Sequence, residues 1–96
     1  MATISTDILA SYAADAAREV EGVHGLVEGG LHRHKGVRIE EDNGHMRVEL
    51  HLAVAWGASL PDVGREVQRR VAAYLGRMAS IQPEAVDVVV DEVVRA

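Results

Sequence analysis

The stretch Val37–Trp56, VRIEEDNGHMRVELHLAVAW, decides the fold of this 96-residue chain. Asn43-Gly44 is the preferred pair for a two-residue type I′ turn, so the segments on either side of it predict a β-hairpin. The register set by this turn pairs apolar residues with apolar ones and acids with arginines: Val37 with Leu50, Ile39 with Val48, Arg38 with Glu49 and Glu40 with Arg47. A shift by one residue would lose all four matches, so this register is the prediction.

The second hairpin strand also predicts which side chains face the core. Every second residue of it is large and apolar, and these residues are expected on one side of the sheet: Met46, Val48, Leu50, Leu52, Val54 and Trp56. The opposite side carries polar residues first and alanines later. Alternation of this kind indicates a strand with one face buried.

An amphipathic segment precedes the hairpin. In residues 5–21 the apolar side chains recur at the 3.6-residue spacing of a helix, Ser5 or Thr6 can cap its amino end, and Gly22 is a natural stop. The glycine-rich residues that follow, up to Gly36, predict a flexible connection. A short extended piece at residues 23–27 is left open.

A second amphipathic segment follows the hairpin. It begins with Ser59 as a cap and Pro61 in its first turn, and it has to end before Pro83. The valine-rich residues 86–94 then predict a last strand. We expect this strand and the helix before it to form a right-handed crossover unit.

The order of elements is helix, strand, strand, helix, strand. This order predicts an α+β domain in which two helices pack on one face of a three-stranded sheet. No repeat or linker interrupts residues 1–96, so we expect a single domain. The pattern leaves the strand order open; the favoured arrangement has the first hairpin strand in the middle of an antiparallel sheet.

Composition excludes several classes of protein. The chain is 48% hydrophobic, has a net charge of −5 with histidine neutral, and lacks cysteine. The negative charge disfavours nucleic acid and anionic lipid as general partners. No run approaches the roughly 20 apolar residues of a membrane span, and no basic and then apolar leader begins the sequence. These features predict a cytoplasmic protein.

The residues that could carry chemistry do not form a catalytic or metal-binding pattern. His32 and His34 supply at most two of the three or four ligands that zinc needs. The serines at positions 5 and 59 are explained as helix caps, and no phosphate-binding loop is present. We therefore expect a protein that is not an enzyme and has no metal or cofactor.

One candidate partner-binding surface is the sheet face that the helices leave open. Four apolar residues lie off the main alternation and are expected there: Ala53, Ala55, Val89 and Val93. Apolar surface and an unpaired sheet edge commonly become interfaces. This surface predicts a homo-oligomer.

The loop between the first helix and the hairpin is a second candidate site. It is rich in glycine and histidine, and it contains Arg33, Lys35 and Arg38 in an otherwise acidic chain. These cations form a candidate anion-binding loop. The alternative function is therefore a small domain that binds RNA or anionic lipid through this loop.

Four stretches, together with Val67-Gln68 and Met78 of the second amphipathic segment and taken in order with their spacings, resemble the alkaline shock protein family (Gls type) of Gram-positive bacteria. The stretches are Val20–Leu26 (VEGVHGL), Val54–Gly57 (VAWG), Leu60–Val63 (LPDV) and Val86–Val90 (VDVVV). The resemblance covers nearly the whole chain. It differs at Met78–Ile81, where such proteins usually have Met-Thr-Gly-Leu.

The resemblance implies a function that the residues alone do not reveal. Relatives are envelope stress response proteins of the cytoplasm without known catalytic residues. They associate with themselves and gather at the inner side of the membrane through a small membrane-anchored protein. A homo-oligomer and a protein partner of this kind are therefore expected.

Overall fold

The computed structural model describes residues 4–95, which form two helices and four strands. In chain order these are α1 (Thr6–Arg18), β1 (Val23–Leu26), β2 (Val37–Asp42), β3 (His45–Ala55), α2 (Leu60–Ala79) and β4 (Ala85–Val94). Strand β3 pairs with all three other strands. The α+β class is as predicted, but the sheet has four strands rather than three.

Helix α1 is shorter than its apolar pattern predicts. Ser5 is the N-cap, and its Oγ accepts a hydrogen bond from Ile8 N at 3.1 Å. The helix ends at Arg18 instead of residue 21. Val20 N donates to Ala17 O at 3.1 Å, which tightens the chain into a turn. Val20 is buried although it follows the end of the helix, so the apolar face continues into this turn.

The hairpin has the predicted register. The four predicted pairs are all present: Val37 with Leu50, Arg38 with Glu49, Ile39 with Val48 and Glu40 with Arg47. Asn43 and Gly44 have φ values of 51° and 79°, as a type I′ turn requires. The Arg38 guanidinium forms its ion pair with Glu40 on its own strand.

Strand β1 forms where the sequence left a short extended piece open, within the connection that the glycines predict to be flexible. It pairs antiparallel with the end of β3, from Val23 opposite Val54 to Leu26 opposite Leu52. Val27 N donates to His51 O at 2.8 Å, and His51 N donates to Gly36 O at 3.0 Å. Both bonds use the backbone of His51, whose N–H and C=O point to the same edge of β3. Strands β1 and β2 therefore lie along that one edge, as a strand interrupted by residues 28–35.

The middle strand is β3, so the expectation of a central first hairpin strand and an antiparallel sheet is wrong. Strand β4 runs parallel to β3, from Ala85 opposite Arg47 to Val94 opposite Ala55. Helix α2 has 20 residues and is about 30 Å long. It therefore carries the chain back along the whole of β3, and the sheet is mixed.

Helix α2 has the predicted cap and also protects the sheet edge. Ser59 Oγ accepts from Asp62 N at 3.4 Å, and Ser80 ends the helix with a left-handed φ of 55°. Gln68 Nε2 donates to Val86 O at 2.9 Å. This bond occupies a carbonyl of the outer strand β4 that would otherwise be open to another strand.

Both helices pack on the same face of the sheet, as predicted. The core joins α1 and α2 to five buried side chains of β3: Met46, Val48, Leu50, Leu52 and Val54. Trp56 does not continue this series. It follows the end of β3 in the turn before α2 and is 63% exposed.

Neither helix in residues 4–95 has both the length and the apolar composition needed to cross a membrane.

Candidate interaction surfaces

The open face of the sheet has a charged cluster at its centre. His51, on β3, is the one buried polar residue among residues 4–95, with 8% of its surface exposed. Its Nδ1 lies 2.9 Å from Asp91 Oδ2 on β4, and its Nε2 lies 2.8 Å from Glu49 Oε2. A neutral imidazole can donate from only one nitrogen. Each ring nitrogen therefore faces its own carboxylate, and which nitrogen donates depends on the tautomer.

The cluster also holds the loop that interrupts β1 and β2. Arg33 Nη1 lies 3.8 Å from Asp91 Oδ2 and donates to Val27 O at 3.4 Å. Polar contacts therefore run without a break from Glu49 through His51 and Asp91 to Arg33. This series fixes the loop against the two neighbouring strands.

The four predicted partner-binding residues do not share one face. Ala53, Ala55 and Val89 have register positions on the open face, where Val89 is opposite His51. Val93 is opposite Val54, a core residue, so the prediction that it lies on the open face is wrong. The cause is a β-bulge, since the register shifts between Leu52 and Ala53 and inverts the alternation that follows.

Two of the three predicted anion-binding cations already have carboxylate partners. Arg33 is bound to Asp91, and Arg38 is bound to Glu40. Lys35 is exposed and lines a shallow depression with Arg18 and other residues. Their role in anion binding stays a prediction.

A groove that the sequence did not predict lies between the end of α1, the turn after β3 and the start of α2. Its volume is about 790 Å³. The apolar part is lined by Val20, Gly22, Ala55, Trp56, Ala58 and Val63. The Arg95 guanidinium lies over the Trp56 ring, 4.6 Å from its centroid. The exposed ring is thus already a contact surface for a cation.

Gly22 gives the groove its depth. Its φ is +98°, a region that favours glycine, and a Cβ at this position would come within 2.8 Å of Val63 Cγ2. The turn after α1 can therefore approach the first turns of α2 without a side chain between them. Gly22 belongs to the VEGVHGL stretch. Its contact with Val63 could not be predicted, because the two residues are far apart in sequence.

The rim of the groove carries more acids than bases. Its charged residues are Glu21, Asp62, Glu66 and Arg70. Glu66 accepts hydrogen bonds from Arg69 and from Arg70, and these bonds, that of Arg69 first, hold the pKa of its carboxyl below 4.5. The carboxyl in turn raises the pKa of Arg69. Asp62 pairs with Arg65 outside the groove.

Metal binding has no geometric support in the described part of the chain. Residues 4–95 contain no group of three or more histidine, cysteine or acidic side chains placed to hold a metal ion. His34 Nδ1 lies 3.9 Å from Asp7 Oδ1 of α1, and both side chains are exposed. The two nitrogens of His51 each face a different carboxylate.

Solved structures with this fold include forms of the MamM CTD. A single-site variant in its manganese form is 16% identical to this chain, with a TM-score of 0.60 over 92% of this chain and 99% of that chain. A variant in its cadmium form gives the same identity and TM-score over 92% and 98%. At this identity the likeness shows the fold alone. Among curated proteins, no relative matches the chain.

The match to a protein family is broader than any of these likenesses. Residues 1–95 match the model of the alkaline shock protein family, which is described by its cell envelope-related function. This match includes all four stretches that resemble alkaline shock proteins, so the predicted resemblance is confirmed. The chain therefore belongs to the alkaline shock protein family.

Proposed function

We propose that this protein is a non-catalytic component of the envelope stress response. It associates with itself and binds a small membrane-anchored protein at the cytoplasmic side of the membrane. The family and its envelope-related function support the setting. The resemblance to alkaline shock proteins supports the stress role and the membrane-anchored partner.

The observation that carries the binding role is the groove beside Trp56. A tryptophan with 63% of its surface exposed stands next to an apolar hollow in a chain of 96 residues. Large aromatic side chains are enriched where proteins bind one another. The open face of the sheet supports such a role less, because the charged cluster around His51 lies between its apolar residues.

Self-association is tested by sedimentation over a wide range of protein concentration. We expect the average mass to rise above that of one chain as concentration increases. A mass that stays at 10.4 kDa throughout would reject this part of the proposal. Circular dichroism at each concentration would separate association from unfolding.

Membrane recruitment through a protein is tested with three preparations. Inverted membrane vesicles from the host should retain the purified protein, the same vesicles stripped of exposed protein by protease should not, and protein-free anionic vesicles should not. Binding to the protein-free vesicles would instead support the alternative, in which Arg33, Lys35 and Arg38 bind anionic lipid. Salt-sensitive retention of RNA on a filter would support the RNA form of that alternative.

A further inference from the structure

We infer that residues 28–35 form a latched cover over the open face of the sheet, with Arg33 as the latch. In the closed form the cover shields the polar cluster around His51. In the open form it moves away from β3 and β4, uncovers that cluster and frees the Arg33 guanidinium, one of the predicted anion-binding cations. This inference concerns access to the sheet face and does not rest on the proposed self-association.

The cover begins and ends at one edge of β3, yet it contacts the strand on the other side. Val27 N donates to His51 O and His51 N donates to Gly36 O, so both ends of the cover lie beside the same residue of β3. From there Arg33 Nη1 reaches to within 3.8 Å of Asp91 Oδ2 on β4. The Arg33 side chain therefore crosses β3 on the open face.

The cover contributes to burial on a face where neither helix packs. His51 is buried there, and only 21% of the Arg33 side chain is exposed, although long charged side chains usually keep their ends in water. The imidazole and the guanidinium both contact the same oxygen of Asp91. They therefore lie side by side, and each shields the other from solvent.

Arg33 acts as a latch because one side chain joins three parts of the structure. Besides Asp91 on β4, its Nη1 contacts the start of the cover by donating to Val27 O at 3.4 Å. Its guanidinium also lies against Gly30 within the cover, where a Cβ would come within 2.9 Å of Nε. Removal of this side chain therefore breaks the contacts that hold the cover to the sheet.

The backbone on both sides of the latch can act as a hinge. Gly29 and Gly30 precede the latch and have positive φ values, which glycine adopts at no steric cost, and Lys35-Gly36 follows it as a tight turn with positive φ values. Between them, His32 has a φ of 66°, an unfavourable value for a residue with a Cβ. Such a conformation persists where surrounding contacts hold it, so loss of the latch favours the open form.

The first measurement is the rate at which diethyl pyrocarbonate modifies His51, followed by peptide mass spectrometry. Arg33→Ala should raise this rate about three- to tenfold, the order expected for loss of one hydrogen bond. Arg38→Ala is the control, because it removes an arginine that pairs with Glu40 on β2, and it should leave the rate unchanged. Circular dichroism verifies that each variant is folded.

A pair of glycine variants tests the latch while Arg33 remains in place. Gly30→Ala puts a methyl group where the guanidinium lies, whereas Gly29→Ala meets nothing within 4 Å. Both positions have positive φ values, so both variants share the backbone strain. His51 should therefore be modified faster in Gly30→Ala than in Gly29→Ala.

NMR relaxation separates an opening cover from the simple loss of one shielding side chain. In Arg33→Ala the amides of Leu31 and His32 should lose order, while the amides of the Asn43-Gly44 turn should keep theirs. The inference would be overturned if His51 reacted as in the unchanged protein in both Arg33→Ala and Gly30→Ala. Faster modification of His51 with unchanged order at Leu31 and His32 would also overturn it, because the cover would then stay in place without its latch.

Discussion

His51 Nδ1 lies 2.9 Å from Asp91 Oδ2, a contact that joins the middle strand to the outer strand on the open face of the sheet. Asp91 occupies the bulge of β4, between Val90 opposite Leu52 and Glu92 opposite Ala53. The bulge has two effects at once. It places the Asp91 carboxylate beside the His51 imidazole. It also inverts the alternation of side chains at the end of β4, so that Val93 is opposite a core residue.

The first prediction concerns this contact. His51→Leu leaves Glu49 and Asp91 without their shared partner, and we expect it to lower the free energy of unfolding by about 1–3 kcal/mol. Urea denaturation measures this change. The control is Asp87→Asn, which breaks the exposed Arg47–Asp87 pair and should cost less than about 1 kcal/mol. Equal losses in the free energy of unfolding for the two variants would show that burial of His51 does not strengthen its contacts.

The second prediction concerns two glycines with open space around them. Gly44 has a φ of +79° in the hairpin turn, whereas Gly64 lies in α2 with an ordinary φ. Gly44→Ala should therefore destabilise the protein by about 1 kcal/mol or more, and Gly64→Ala should stabilise it by about 0.5–1 kcal/mol. Thermal unfolding of both variants checks the opposite signs. Two shifts in the same direction would contradict the conformational explanation.

The third prediction concerns the contact that shapes the groove. Gly22 and Gly29 both have positive φ values, but only at Gly22 would a Cβ meet another side chain, Val63 Cγ2 at 2.8 Å. Both alanine variants share the backbone strain, so the difference between them isolates the contact. Gly22→Ala should lose more stability than Gly29→Ala in chemical denaturation. Similar losses would mean that the turn after α1 shifts to accept the methyl group.

The fourth prediction concerns pH and Glu66. Hydrogen bonds from Arg69 and Arg70 hold the pKa of this carboxyl below 4.5 in the folded protein. A lowered pKa means that the unfolded chain binds the proton more readily, so the stabilisation is present above pH 4.5 and is lost as pH falls through the folded value. The difference in stability between the unchanged protein and Glu66→Gln should therefore shrink on acidification.

An NMR titration of the Glu66 carboxyl tests the cause of that shift directly. Arg69→Ala removes the larger of the two hydrogen-bond contributions, so the titration midpoint should move upward. Arg65→Ala is the matched control, because Arg65 pairs with Asp62 and should leave the midpoint of Glu66 unchanged. A Glu66 titration midpoint that does not change in Arg69→Ala would contradict the assignment of the lowered pKa to Arg69.

Local patterns predicted the elements whose cause is local. The hairpin register follows from Asn43-Gly44 and its neighbours, and the caps at Ser5 and Ser59 need only a few residues. Strand β1 could only be left open as a short extended piece at residues 23–27, because its partners on β3 lie far along the chain and its glycines resemble a loop. The central position of β3 likewise depends on β4, which returns only after α2.

The candidate sites show the same difference between local patterns, which could be predicted, and contacts between distant residues, which could not. Val93 was assigned to the wrong face because strict alternation contains no bulge. The groove depends on Gly22 meeting Val63, and the charged cluster depends on the loop returning to β4. Each of these contacts joins residues from separate elements. The family resemblance could be recognised without them, because it rests on the order and spacing of short stretches.

The interrupted strand formed by β1 and β2 has an evolutionary consequence. Each half pairs with β3 through its own hydrogen bonds, so residues 28–35 can be exchanged or lengthened without moving the ladder. The entropy of closing such an excursion grows by only about 0.6 kcal/mol for each doubling of its length. Residues 28–35 can therefore change in length and sequence while the scaffold beneath them stays the same.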